Sequence, residues 1–140
     1  MPDHIDPTAE QVKRLADSPD DQPIVMLNLL RFKQRADGPF EGDEISGREA
    51  YERYAEAVAP CLERIGGRVA FAIECAETVI GPDGEWDVCA GAEYPSRAAF
   101  LEMIADPAFA EAHPMRTAAL AESRLIVTTT LAPDLQTATE

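Results

Sequence analysis

The sequence predicts an α+β domain of ferredoxin-like type, a split β-α-β arrangement on an antiparallel four-stranded sheet. Three observations carry this. The apolar periodicity gives the order strand, helix, strand, strand, short helices, strand between residues 23 and 131. The length of 140 residues suits one domain with a real core. The third is a punctuated stretch, Tyr94-Pro95-Ser96-Arg97-Ala98-Ala99-Phe100, then Asp106-Pro107-Ala108-Phe109, then His113-Pro114-Met115-Arg116. There a strand ends at a proline and a serine caps a short amphipathic helix. An Asp-Pro stops that helix, and a second proline restarts the chain into another.

Taken in order, Pro7-Thr8-Ala9-Glu10 opens a short helix with Val12, Leu15 and Ala16 at helical spacing, and Ser18-Pro19 ends it. Residues 1–22 thus form an N-terminal helical extension ahead of the main domain, 23–131. Ile24 to Phe32 is the first strand, with Ile24, Met26, Leu30 and Phe32 on one face and Val25, Leu27 and Leu29 on the other. Arg35 to Gly47, rich in glycine, reads as a mobile loop. Ser46 and Glu49 fit a capping box, and Tyr51, Tyr54, Ala55, Val58, Leu62 and Ile65 follow as one helical stripe. Pro60 bends that helix and Gly66-Gly67 closes it.

Val69, Phe71, Ile73 and Cys75 alternate with small residues as a second strand, all four on one face. Gly81-Pro82-Asp83-Gly84 is a turn. The third strand puts Trp86, Val88, Ala90, Ala92 and Tyr94 on one face. After the Ser96-capped helix, a helix from Pro114 to Glu122 leads into the last strand, Leu125 to Leu131. Residues 132–140 read as a flexible polar tail.

In this topology the strand order is 4-1-3-2, with both helices on one sheet face. The first strand is apolar on both faces, so the uncovered face needs a partner. A homodimer packed sheet to sheet supplies one.

Charge and motifs exclude several classes. The formal net charge is −14, from 26 acids against 12 bases, which opposes binding to nucleic acid or an anionic membrane. Cys61, Cys75 and Cys89 form no Cys-x-x-Cys pair and no zinc-spaced cluster. No signal-peptide pattern opens the chain, and no apolar run approaches the ~18 residues of a membrane span. A cytoplasmic protein with reduced thiols is expected. Gly-rich phosphate loops, Gly-x-Ser-x-Gly and His-Glu-x-x-His are absent from the sequence. The pattern implies neither metal nor cofactor.

Tyr-Pro-Ser before an alanine-containing helix, Asp-Pro-x-Phe and Pro-x-Arg together resemble the domain of unknown function 1330 family, within the dimeric α/β-barrel superfamily. Leu27-Asn28-Leu29-Leu30-Arg31-Phe32 resembles a longer branch of it, and the likeness runs over about residues 23 to 131. Met103 and Phe109 stand where the family more often has aromatic and tyrosine residues. The resemblance implies a dimeric α/β barrel. Its superfamily includes cofactor-free monooxygenases, isomerases and haem-handling enzymes, so membership does not fix a reaction.

The candidate site residues each have two readings. His113, read as lying in an interhelical turn, is an acid-base candidate or a surface cap, and haem ligation by it is disfavoured. Arg116, at the family's Pro-x-Arg, either clamps an anionic substrate or pairs locally with Glu111 or Glu122. Asn28, an amide between Met26 and Leu30, either meets a ligand or braces a loop. Arg31, with strands one and three taken as parallel neighbours, falls beside Glu93 as a structural ion pair or borders the pocket. Tyr51, Tyr54, Trp86 and Tyr94 are core aromatics or a pocket wall. Glu74 is a general base if buried, and an edge residue if not. Asn28, Arg116 and the aromatics are expected to share one cavity with His113 at its mouth. The function this predicts is binding of a small organic molecule, with proton transfer or cofactor-independent oxygenation as its chemistry. The alternative is a non-catalytic metabolite-binding or interaction module.

Overall fold

The computed structural model describes residues 4–18 and 21–130. Helix α1 (Ala9–Asp17) is capped by Thr8, whose side chain accepts from the Gln11 backbone N–H while Gln11 returns a bond to the Thr8 backbone. Strand β1 (Ile24–Phe32) follows, then a 3-10 turn (Gly38–Phe40) and α2 (Gly47–Arg64). Strands β2 (Arg68–Glu74) and β3 (Val88–Tyr94) precede α3 (Arg97–Ile104), α4 (Pro107–Ala119) and β4 (Leu120–Thr128).

The four strands form one antiparallel sheet in the order β2-β3-β1-β4, as the element order predicts. On the side of β1 that packs with the helices, Leu30 joins Ala50, Ala118, Ala119 and Leu120, and Ile24 and Met26 join Cys61, Tyr94 and Met103. Helices α2 and α4 pack against each other, and α1 touches α3. The Ser46 side chain caps α2 by accepting from Glu49 N, although the Glu49 carboxylate turns to Arg53 and leaves the box half made. Ser96 caps α3 through Ala99 N. Gly66, at φ +78°, ends α2, and the Gly67 N–H reaches back to the Leu62 carbonyl.

Several expectations change. Strands β1 and β3 are antiparallel, with Val25 opposite Glu93, so Arg31 lies far along the ladder from Glu93 and opposite Glu122 instead. Glu93 pairs with Arg68 at 2.8 Å. Asp106 does more than stop α3, because its carboxylate accepts from Ala108 N and starts α4. That helix runs through Pro114, since its face of Ala112, Arg116, Ala118 and Ala119 is buried and tertiary packing outweighs one missing backbone bond. His113 therefore lies inside a helix, and β4 begins at Leu120 rather than Leu125.

Strand β3 starts at Val88, two residues after Trp86, and β2 ends at Glu74, before Cys75. The glycine-rich loop is anchored by buried Ala36 and Phe40. A bulge between Val69 and Phe71 moves Val69 to the other face from Phe71 and Ile73. Phe71 thereby lands opposite Gly91, where a Cβ would come within 2.4 Å of its ring. The expected tail, 132–140, lies outside the described residues.

Gly47 marks the tightest junction. Its N–H donates to the Lys33 carbonyl at 3.0 Å, and the Lys33 N–H donates to the Ala119 carbonyl at 2.8 Å. A Cβ on Gly47 would stand 2.3 Å from the first carbonyl oxygen and 2.5 Å from the second. Both obstacles are backbone and cannot rotate away. Gly47→Ala should lower stability by roughly 1–3 kcal/mol or more, read from the urea unfolding midpoint. A midpoint equal to wild type would show that the ends of β1 and α4 are not locked to the start of α2.

Candidate site around Arg116

Arg116 projects from the buried face of α4 and is 9% exposed. One of its guanidinium nitrogens donates to the Ile5 backbone carbonyl. Burial pushes the Tyr51 phenol up, while the charge and hydrogen bonding of Arg116 pull it back. Burial likewise raises Tyr54, with further upward pushes from Tyr51 and Tyr94 against the lowering effect of Arg116. Tyr94 is pushed up to about 12, first by burial and then by Tyr51. All three phenols are neutral at physiological pH. Among the described residues no carboxylate pairs with Arg116, and the expected local partner Glu122 is held by His4 instead.

Ring contacts extend this centre into a wall. Phe32 meets Tyr51 at 5.6 Å between centroids, Tyr51 meets Tyr54 at 5.3 Å, and Tyr54 meets Phe109 at 6.4 Å. Phe109 in turn lies 6.3 Å from the His113 ring, three residues before Arg116 on α4. His113 Nε2 is 2.7 Å from the Asp6 carboxylate. Asn28 is half-buried on the same sheet face as Leu30 and Phe32, between Ala90 and Leu125. Its side-chain amide makes no hydrogen bond among the described residues, so polar capacity is left open beside an apolar strand.

Other predicted residues lie apart from this wall. Trp86 lies under the Arg124 guanidinium, 5.3 Å from centroid to carbon, and lines a cleft of about 330 Å³ with Cys75, Thr78, Asp83 and Asp87. Glu74 is exposed on the edge strand and 3.6 Å from Arg48, so the burial that a general base there requires is missing. Arg31 is half-buried on the opposite sheet face from Asn28.

The N-terminal segment supplies what sequence reasoning missed. The His4 N–H donates to Glu122 at 2.6 Å, and the His4 carbonyl accepts from the Ser123 hydroxyl. With Ile5 on Arg116 and Asp6 on His113, three successive residues cross α4 and β4. Two of these contacts rest on the backbone carbonyls of His4 and Ile5, which no residue pattern signals.

A family model described as Domain of unknown function (DUF1330) matches residues 42–130. The crystal structure of RPA0582, a protein of unknown function from Rhodopseudomonas palustris, is 44% identical, covers 94% of this chain and all (100%) of that one, and superposes with a TM-score of 0.86. The methylated RPA0582 protein gives 45% identity, 95% and 98% coverage, and a TM-score of 0.87. SnoaB, a cofactor-independent oxygenase from Streptomyces nogalater, aligns at 14% identity over 80% of this chain and 98% of that one, with a TM-score of 0.48. Comparison with curated proteins finds no match. Among the described residues no helix is long and apolar enough to cross a membrane.

Glu122 gives this region a pH dependence. Burial pushes its carboxyl up, but the His4 backbone N–H, the His4 side chain and the Ser123 backbone N–H together hold it at about 2, against an ordinary 4.5. A depressed folded value stabilises fully above the ordinary one, and that contribution is lost as pH falls from 4.5 towards 2. Glu122→Gln should therefore weaken the protein at neutral pH and flatten its acid limb over that window. Urea midpoints measured across the window would test this. An acid limb identical to wild type would refute the assignment.

Proposed function

The chain belongs to the domain of unknown function 1330 family, and we propose that it binds a small organic molecule bearing a carboxylate or similar anionic group. Arg116 is the anion clamp, Tyr51, Tyr54 and Phe109 are the aromatic wall, and Asn28 is a further polar contact on the sheet. The carrying observation is a buried guanidinium whose neighbours are a peptide carbonyl and phenols, with no protein carboxylate among the described residues. A buried charge without a counter-ion is costly, and an arriving carboxylate offers two parallel charge-assisted bonds. His113 Nε2 lies against Asp6, and among the described residues no contact brings His113 onto the guanidinium, so binding is the reading we adopt.

The same reading has a second copy of the chain covering the other sheet face. Val25, Leu27 and Leu29 are only half-buried there, with Phe71, Ile73 and Ile126 exposed beside them at 39%, 57% and 45%. So much apolar surface on one sheet face favours a partner of the same chemistry. We also place the protein in the cytoplasm, a reading supported by its three free cysteines.

Benzoate is a suitable probe of the clamp. It should bind saturably by calorimetry, and Arg116→Ala should weaken it about ten-fold or more, because a hydrogen bond to a charged group contributes about 1.5–3 kcal/mol. Arg116→Lys should restore part of the loss, since lysine lacks the planar fork. Equal affinity in wild type and a folded Arg116→Ala protein would refute the clamp.

For the dimer, size-exclusion chromatography with light scattering should give twice the 15.2 kDa chain mass at micromolar concentration. Leu27→Asp should give the single-chain mass. Wild type running as a monomer would overturn the sheet-to-sheet pairing.

A further inference from the structure

Arg116 is closed off by a segment that contributes neither helix nor strand. The chain before α1 crosses α4 and β4 with one polar contact after another: His4 to Glu122 and Ser123, Ile5 to Arg116, Asp6 to His113. The Ile5 side chain packs against the core cluster that contains Leu30, Phe40, Ala118 and Leu120. Immediately beyond, Thr8 and Gln11 fix the start of α1, and Leu15 ties that helix to the second core cluster. The segment is thus held at its far end independently of its contacts with Arg116.

The Asp6–His113 pair is solvated, with Asp6 52% exposed, and contributes little, whereas the His4 bonds to Glu122 and Ser123 anchor the outer end of the segment on β4. The decisive bond is the carbonyl of Ile5 on the guanidinium. That acceptor is neutral and single, whereas a carboxylate is charged and can engage two N–H groups at once. Both cannot hold the same N–H group in the same place.

We propose that residues 4–6 form a displaceable strap, in which the Ile5 carbonyl occupies Arg116 in the free protein and a carboxylate ligand takes its place, releasing the strap from α4. The inference rests on the reading of Arg116 as an anion clamp and adds a gate to it. The strap does two things. It satisfies the buried guanidinium while the site is empty, and it rejects neutral molecules that cannot outcompete a peptide carbonyl. Asp6, bound to His113 one turn before Arg116, sets how readily the strap lifts.

Hydrogen–deuterium exchange on the whole chain tests this, with benzoate as probe and benzamide as its neutral counterpart. Saturating benzoate should speed exchange in the peptide covering residues 4–8, and benzamide should leave it unchanged. Asp6→Asn, an exposed substitution, should tighten benzoate about three-fold, because loosening one solvated ion pair raises the open population by about that factor. Slower or unaltered exchange at residues 4–8 with benzoate bound through Arg116, and no gain in Asp6→Asn, would overturn the strap and leave the clamp standing. Absence of saturable benzoate binding to both wild type and Asp6→Asn would overturn the clamp and the strap together.

Discussion

The architecture depends on a strand that is apolar on both faces. Strand β1 lies between β3 and β4, so its backbone donors and acceptors face neighbours on both edges. Its Ile24, Met26 and Leu30 side chains disappear beneath the helices, whereas Val25, Leu27 and Leu29 point the other way and stay half-covered. One side of this strand organises the core, and the other leaves apolar side chains half-covered on the outer sheet face. The helices also bring the site residues together, since the packing of α2 on α4 sets Tyr51 and Tyr54 against Arg116.

Within that frame the Arg116 guanidinium is buried with no carboxylate partner among the described residues. Several other cations pair with acids at the surface, among them Arg64 with Asp106, Arg68 with Glu93 and Arg53 with Glu49. Those pairs are solvated and contribute modestly. Arg116 instead sits beside the Tyr51 and Tyr54 phenols, which burial holds up.

Most of the fold was legible because it is written in side chains. Ser46, Ser96 and Gly66 act where their chemistry says they must, and the periodicity of β1 gives both of its ends. What escaped is governed by tertiary contacts. Pro114 reads as a break, yet α4 continues because its alanine-rich face is buried. The bulge beside Ala70 leaves no mark in an alternating pattern that looks regular. In the site, the aromatic residues and Arg116 were identifiable by type, and Tyr51 and Tyr54 do lie near the guanidinium, whereas Tyr94 packs with Phe100 and Met103. Trp86 and Glu74 were drawn elsewhere by their places at the ends of β3 and β2. The carbonyls of His4 and Ile5 could not be foreseen, because every residue has one.

The Phe71 ring over Gly91 ties three positions into one unit. The ring fills the notch that the missing side chain leaves, so Gly91 is buried on a face otherwise open to solvent. Any side chain at position 91 would collide with that ring, and deleting the bulge residue would turn Phe71 to the opposite face. A side chain at position 91 therefore requires the Phe71 ring to swing away or be shortened. Relatives of this chain should divide into those that keep the aromatic-on-glycine pairing and those that replace it wholesale. That division reflects the shape of the sheet's outer surface.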